Sequence, residues 1–126
     1  LGSVCAAEIG SKNPEELKGI IFESGFADTY NMMTTLFGFG AENISRKQIK
    51  PYSNIIRIKQ ITKPVLILHG THDWIVPFEE GKKIYNILPE KVEKKFISIQ
   101  GASHNTMFSF QEEYFEPLKS FINKYK

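Results

Sequence analysis

The sequence holds little that would tie the chain to a disulfide framework, a membrane or a nucleic acid. It has one cysteine, Cys5, in 126 residues, so no disulfide can form within the chain, which favours a reducing, intracellular compartment. No apolar run reaches the roughly 18 residues of a membrane-spanning helix. The 16 Lys and Arg residues nearly balance the 14 Asp and Glu residues, and they form no basic run interleaved with aromatics. We therefore expect no nucleic-acid partner.

Two further absences concern the N-terminus. The chain has no initiating Met, and the pattern Gly-x-Ser-x-Gly, which marks the nucleophile of many acyl-transfer sites, occurs nowhere. The residues Leu1-Gly2-Ser3 would complete such a pattern if Gly-x-Ser preceded them. We interpret the chain as a fragment of a longer protein, in which an N-terminal anchor would allow peripheral membrane association.

Apolar, β-branched runs alternate with helical patterns along the chain. This alternation predicts an α/β fold with three parallel strands flanked by helices. The predicted strands are 18–24, 65–69 and 95–100, and the predicted helices are 1–10, 28–37, 77–88 and 109–125. A break is expected at 38–40, and Pro117 is expected to kink or divide the last helix.

Two of the strand ends carry residue types suited to proton transfer. Asp73 lies in PVLILHGTHDWIVP after the second strand, and His104 lies in GASHN after the third. Because both residues follow neighbouring parallel strands at the same end of the sheet, we expect the two side chains to approach to about 2.6–3.2 Å, or somewhat farther in an unliganded site. A carboxylate that orients an imidazole fits the acid and base of a catalytic triad. The alternatives are that Asp73 only caps the next helix and that His104 is a surface loop residue.

These motifs resemble those of Bem46-like serine hydrolases of the α/β-hydrolase family. There the acid lies in PVLIxHGxxDxxVP and the histidine in GxxHN. The resemblance covers essentially the whole chain, but only the C-terminal half of such a protein. It implies that residues 1–126 are one partial domain containing strands six to eight of an eight-stranded sheet. It also implies a lid-like helical insert at 26–62, and a Ser–Asp–His triad whose serine precedes Leu1. The backbone N–H of Leu1 would then be half of the oxyanion hole.

Aromatic residues near the strand ends are candidates for a substrate pocket. Phe26 follows the first strand, Trp74 follows Asp73, and we predict that both contact substrate. Tyr30, Met33 and Phe108 are more typical of core residues.

Histidines near Asp73 raise the alternative of a metal site. His69, His72, Asp73 and His104 would have to converge on zinc at about 2 Å. We expect His69 to be a buried core residue that points away from Asp73, and His72 to lie at the rim. No metal or other cofactor is therefore predicted.

Other reactive side chains lie in unsuitable positions. Cys5 falls more than a turn into the first helix and is expected to be buried. Ser3 and Ser24 lack a glycine at the required spacing. The pair Glu79-Glu80 is expected to complement the dipole of its helix instead of forming an acid/base pair.

The sequence thus predicts that the parent protein is a serine hydrolase, while this chain alone is inactive. It would cleave an ester, thioester or amide through an acyl-enzyme, acting on a small acyl ester or a lipid-modified substrate. The alternative is a non-catalytic fragment or pseudoenzyme that serves as an interaction module. The strand 18–24 would have an exposed edge with no Pro or bulge, so self-association through it is also predicted.

Overall fold

A three-stranded parallel sheet forms the centre of the computed structural model, which describes residues 1–38 and 43–126. In chain order the elements are α1 (Gly2–Lys12), β1 (Ile20–Glu23), α2 (Thr29–Phe37), α3 (Arg46–Ile49), a 3₁₀ turn (Lys50–Tyr52), α4 (Asn54–Ile58), β2 (Val65–Gly70), α5 (Phe78–Ile87), β3 (Lys94–Ile99), a second 3₁₀ turn (Met107–Ser109) and α6 (Gln111–Tyr125). The strand β2 is central, and Leu68 aligns with Glu23 of β1 and with Ile97 of β3. The predicted architecture of three parallel strands flanked by helices is confirmed.

Helices cover both faces of this sheet. The helices α1 and α5 pack on one face, with α4 against α1, and α6 packs on β2 and β3. Every residue of β2 is buried, as expected for a central strand with both faces covered. The larger core cluster includes Phe22, Ile58, Ile67 and Ile84, and burying each such side chain stabilises the fold by about 1.5–3 kcal/mol.

The helix α1 continues past its predicted end at Gly10. A Cβ atom at Gly10 would lie 2.4 Å from Cδ1 of Ile20, so this glycine allows the helix to approach β1 closely. The helix ends instead at Asn13, which adopts the left-handed conformation with φ of 45°. The Asn13 side chain donates to the carbonyl of Gln60 at 2.8 Å and accepts from the N–H of Thr62 at 2.8 Å.

The helix α6 runs unbroken through Pro117, so this proline does not divide it, and the alternative of a kink stays a prediction. Proline removes one backbone donor from the helix. Side chains on either side of it pack inward: Tyr114 packs on the cluster of Ile99, Ala102 and Met107, and Phe121 lies over Gly19, where a Cβ atom would be 2.8 Å from its ring. The aromatic face of the helix therefore holds it against the sheet across the missing hydrogen bond.

The segment 26–62 is structurally divided. Ile58 of α4 and the following Ile61 are fully buried in the main core, whereas α2 borders the cavity described below. Gly38, with φ of 53°, ends α2 as expected, and the rest of the predicted break, 39–40, lies outside the described residues. The assignment of 26–62 as a lid-like insert within a single domain stays a prediction.

The sheet has an open edge at β1. Within the part of the chain that the structure describes, β1 pairs only with β2. Self-association through residues 18–24 stays a prediction. None of the helices in the described ranges is long and apolar enough to cross a membrane.

Candidate active site

Asp73 lies in the turn between β2 and α5, and its two carboxylate oxygens have separate partners. Oδ1 accepts hydrogen bonds from the backbone N–H groups of Ile75 at 3.0 Å and Val76 at 2.8 Å. Oδ2 lies 2.9 Å from Nδ1 of His104. The N-cap of α5 is Pro77 rather than Asp73. Asp73 therefore stabilises its own turn with one oxygen and contacts His104 with the other.

His104 reaches Asp73 from the loop that follows β3. Gly101 turns the chain there with φ of 82°, and the N–H of Ser103 donates to Oγ1 of Thr106 at 2.9 Å. An ionised carboxylate can only accept, so Nδ1 of His104 carries the hydrogen and Nε2 of the neutral ring is a free base. The side chain is 30% exposed, and it lines the cavity described below.

Backbone contacts join the Asp73 turn to the His104 loop. The N–H of His72 donates to the carbonyl of Ala102 at 2.9 Å, and the N–H of Gly101 donates to Oγ1 of Thr71 at 2.8 Å. Gly70 allows this approach, because a Cβ atom there would lie only 2.3 Å from the carbonyl oxygen of Ala102. The two loops are thus joined at the carboxyl ends of β2 and β3.

The hydrogen bonds around Asp73 keep its carboxyl group ionised. Burial by itself would raise the pKa of Asp73, but the hydrogen bonds from the N–H of Val76 and from His104 outweigh burial, so that this pKa lies below its ordinary value. Ser24 follows β1 in a left-handed conformation with φ of 46°, and it is buried.

His69 lies on the same side as Asp73, so the prediction that it points away is wrong. Its Nε2 is 2.9 Å from the carbonyl oxygen of Val76 and 3.5 Å from Oδ2 of Asp73. The turn after β2 curls back over the face where α5 packs, which brings residues 69 and 73 together. The prediction that His69 is buried is confirmed, since it is 0% exposed. Burial lowers the pKa of the ring, which therefore stays neutral near pH 7.

The lowered pKa values of His69 and Asp73 predict a loss of stability in acid. Below the ordinary histidine pKa of about 6.5, unfolding allows His69 to bind a proton, so the free energy of unfolding falls as pH falls. The contribution of ionised Asp73 is lost only as pH drops further, below about 4. Each proton lowers the free energy of unfolding by at most about 1.4 kcal/mol per pH unit. Urea unfolding at pH 8 and pH 5.5 measures the first effect, and His69→Gln should lose less stability over that interval. An equal loss in both proteins would contradict the assignment to His69.

A cavity of about 430 Å³ borders His104. It is lined by the start of α1, the open edge of β1, the helix α2 and the Asp73 turn. The lining residues are Leu1, Gly2, Ser3, Ala6, Ile21, Phe22, Glu23, Ser24, Phe26, Met32, Met33, Leu36, Ile75, Val76 and His104. Most of its lining side chains are therefore apolar.

The predicted pocket residues differ in their placement. Phe26 is buried and lines the cavity. Trp74 is 87% exposed and does not line it, whereas its neighbours Ile75 and Val76 do. The reason is the tight Asp73 turn, which draws the backbone of residues 75 and 76 inward and leaves Trp74 facing solvent. Leu1, also predicted to belong to the site, lies at the N-terminus of α1 beside the cavity.

Several other side chains also depart from the predictions. Cys5 is exposed, so its predicted burial is wrong, because α1 buries the face of Ala7 and Gly10 instead. Glu80 is buried and accepts from the backbone N–H groups of Ala27 at 3.0 Å and Asp28 at 2.9 Å. It thus joins α5 to the loop after β1, a role that no sequence pattern indicated. Within residues 1–38 and 43–126, no three His, Cys, Asp or Glu side chains converge as metal ligands would.

Comparison with known protein families yields one profile match over almost the whole chain. The profile of the prolyl oligopeptidase family matches residues 2–125. Among curated proteins, α/β-hydrolase domain-containing protein 17C of Xenopus tropicalis is 38% identical over 72 residues, which cover 57% of this chain and 22% of that protein. Protein bem46 of Schizosaccharomyces pombe is 29% identical over 123 residues, or 97% of this chain and 40% of that protein. The chain spans well under half the length of these relatives. The resemblance to Bem46-like α/β-hydrolases is confirmed.

Solved structures share the fold. An acylaminoacyl peptidase from Pyrococcus horikoshii superposes with a TM-score of 0.76 at 14% identity, covering 97% of this chain and 22% of that one. An α/β-hydrolase enzyme from the sediment metagenome of the Mar Chica lagoon in Morocco gives a TM-score of 0.70 at 16% identity, covering 98% of this chain and 58% of that one. The three strands and their helices therefore have the arrangement found in α/β-hydrolases.

Proposed function

This chain belongs to the prolyl oligopeptidase family, and we propose that it carries the acid and the base of a serine hydrolase. The complete protein would hydrolyse an ester, thioester or amide through an acyl-enzyme. Asp73 orients His104 and stabilises the positive charge that its ring acquires, and His104 transfers the protons. The nucleophilic serine would be supplied by a residue outside this chain.

The observation that carries this proposal is the contact between Oδ2 of Asp73 and Nδ1 of His104 at 2.9 Å. A triad requires a carboxylate that fixes the imidazole tautomer with Nε2 as the free base. The separate role of Oδ1 in the Asp73 turn keeps Oδ2 aimed at the ring. A helix-capping aspartate would not need a histidine partner in a partly exposed cavity.

The start of α1 supports a nucleophile at the same cavity. Leu1, Gly2 and Ser3 border it together with His104. The first N–H groups of a helix have no partner within the helix, so they can donate to an oxyanion. If a serine directly preceded Leu1, the N–H of Leu1 would be one donor of the oxyanion hole.

The proposed reaction uses His104 twice. The serine Oγ attacks the acyl carbonyl while Nε2 of His104 takes its proton, and the N–H of Leu1 stabilises the oxyanion. His104 then gives that proton to the alcohol, thiol or amine, which departs as its bond to the acyl carbon breaks. The acyl group stays on the serine and forms the acyl-enzyme. Water then attacks the acyl-enzyme while His104 takes a proton from the water. His104 returns the proton to the serine oxygen as the carboxylic acid departs.

The cavity wall supports a substrate with an apolar acyl group. Phe26, Met32, Met33 and Val76 present hydrocarbon and thioether surface to it. A small acyl ester or a lipid-modified substrate would bury its acyl chain there, and each buried CH₂ group would contribute about 0.8 kcal/mol.

A fluorophosphonate probe, which reacts with activated serines, tests this proposal. We expect no labelling of the 126-residue chain, and strong labelling of a longer protein that contains it together with the upstream serine. Labelling of the longer protein should disappear in His104→Ala. If the longer protein stays unlabelled, the alternative of a non-catalytic interaction module is favoured. Labelling of the short chain would place the nucleophile within it, with Ser24 the first candidate.

A further inference from the structure

His69 is a buried histidine that the proposed acyl-transfer steps do not use. Its ring is 0% exposed. It contacts the Asp73 turn at two points, because Nε2 lies 2.9 Å from the carbonyl oxygen of Val76 and 3.5 Å from Oδ2 of Asp73. The turn that contains Asp73 is therefore in contact with a second histidine, His69.

The partners of the ring determine its tautomer. A carbonyl oxygen can only accept a hydrogen bond, so Nε2 of His69 carries the hydrogen and Nδ1 is bare. Nδ1 has no hydrogen-bond partner among the described residues. It faces α5, where a Cβ atom at Gly81 would lie 2.5 Å away. The ring of Phe78 meets it edge-on, with a centroid distance of 5.8 Å. The glycine and the aromatic ring leave a space shaped for imidazole between β2 and α5.

We propose that His69 is a positioning residue that holds the Asp73 carboxylate in place for His104. Its Nε2–H binds the carbonyl of Val76, and the N–H of the same Val76 binds Oδ1 of Asp73. One peptide residue is thus fixed from both sides, which fixes the direction of Oδ2. The Nε2–H of His69 is bound by the carbonyl of Val76 at 2.9 Å, whereas Oδ2 of Asp73 lies at 3.5 Å, so His69 leaves Oδ2 to His104.

The catalytic meaning of this role rests on the function proposed above, but the positioning itself can be measured without activity. Nuclear magnetic resonance of the chain labelled with ¹⁵N-histidine detects the Nδ1–H of His104, which is visible only while a hydrogen bond protects it from water. His69→Leu removes the donor and keeps an apolar side chain. His69→Gln keeps an N–H at a similar reach.

We expect His69→Leu to lose the Nδ1–H resonance of His104 and to speed hydrogen exchange at the Val76 amide at least about tenfold. His69→Gln should retain the resonance. Ile58→Val is the matched control: it removes a buried methyl group from α4 in the main core cluster, to which Val76 of the Asp73 turn does not belong, and should change neither signal. In the longer protein, His69→Leu should lower kcat more than it changes KM, and His69→Gln should restore it.

Retention of the His104 resonance in folded His69→Leu would overturn the proposal and reduce His69 to core packing. Should His69→Leu not fold, loss of the resonance in folded His69→Gln overturns it equally. Failure of the proposed function is distinguishable, because a longer protein without hydrolase activity would leave these resonances and their dependence on His69 unchanged.

Discussion

In a longer protein that contains the serine, Asp73→Asn is expected to lower kcat about 10⁴-fold while the fold stays intact. The reason is that the two carboxylate oxygens of Asp73 have different hydrogen-bond partners. An asparagine keeps an acceptor for the N–H groups of Ile75 and Val76, so the turn survives. Its NH₂ group then faces Nδ1 of His104 and forces the hydrogen onto Nε2. A ring in that tautomer cannot take the proton of the serine. Steady-state ester hydrolysis measures the loss.

Comparison with further variants at His104 and His72 tests this prediction. His104→Ala should lower kcat by a similar factor, and the double variant should lose little more, because residues of a triad act as a unit. His72→Ala is the control, since His72 is an exposed histidine beside Asp73 that contacts Thr71 instead. It should leave kcat within about twofold of the parent, given that surface substitutions usually have small effects. Near-normal turnover in Asp73→Asn would mean that Asp73 only shapes the turn.

Gly70→Ala is expected to destabilise the chain by about 3 kcal/mol and to separate the two loops of the site. The added Cβ atom would lie 2.3 Å from the carbonyl oxygen and 2.7 Å from the carbonyl carbon of Ala102. Both are backbone atoms, so no side-chain rotation relieves the clash. The loop carrying His104 must move away from the Asp73 turn. Urea unfolding followed by circular dichroism gives the stability, and probe labelling of the longer protein should fall in parallel.

Gly2→Ala is the matched control for this substitution. A Cβ atom at Gly2 meets nothing within 4 Å. The change lies in a helix, where alanine is favoured over glycine by up to about 1 kcal/mol. Its unfolding midpoint should therefore equal or exceed that of the parent chain. An unchanged midpoint in Gly70→Ala would show that the contact between residues 70 and 102 can relax at little cost.

The sequence was sufficient to predict the elements that depend on local patterns. The β-branched runs predicted all three strands to within two residues, and the positions of Asp73 and His104 after neighbouring parallel strands predicted that they would meet. These inferences need only the period of a strand and the rule that parallel strands end at the same edge.

The features that sequence reasoning missed depend on contacts between distant segments. Alternation along β2 suggested that His69 points away from Asp73, but the turn after Gly70 reverses over the α5 face. The burial of Glu80 depends on the backbone of residues 27 and 28, far away in the chain. Trp74 is exposed because Asp73 accepts hydrogen bonds from the next two residues, Ile75 and Val76, and draws their backbone inward instead. A propensity or a period contains no information on such pairings.

The most direct test of the central claim is to identify the residue that carries the fluorophosphonate in the labelled longer protein. Peptide mass spectrometry of the labelled protein gives this position. The assignment of Asp73 and His104 as acid and base predicts a single modified serine directly before Leu1, and no modification in Asp73→Asn or His104→Ala. A modified residue within 1–126, or labelling that persists without His104, would contradict it.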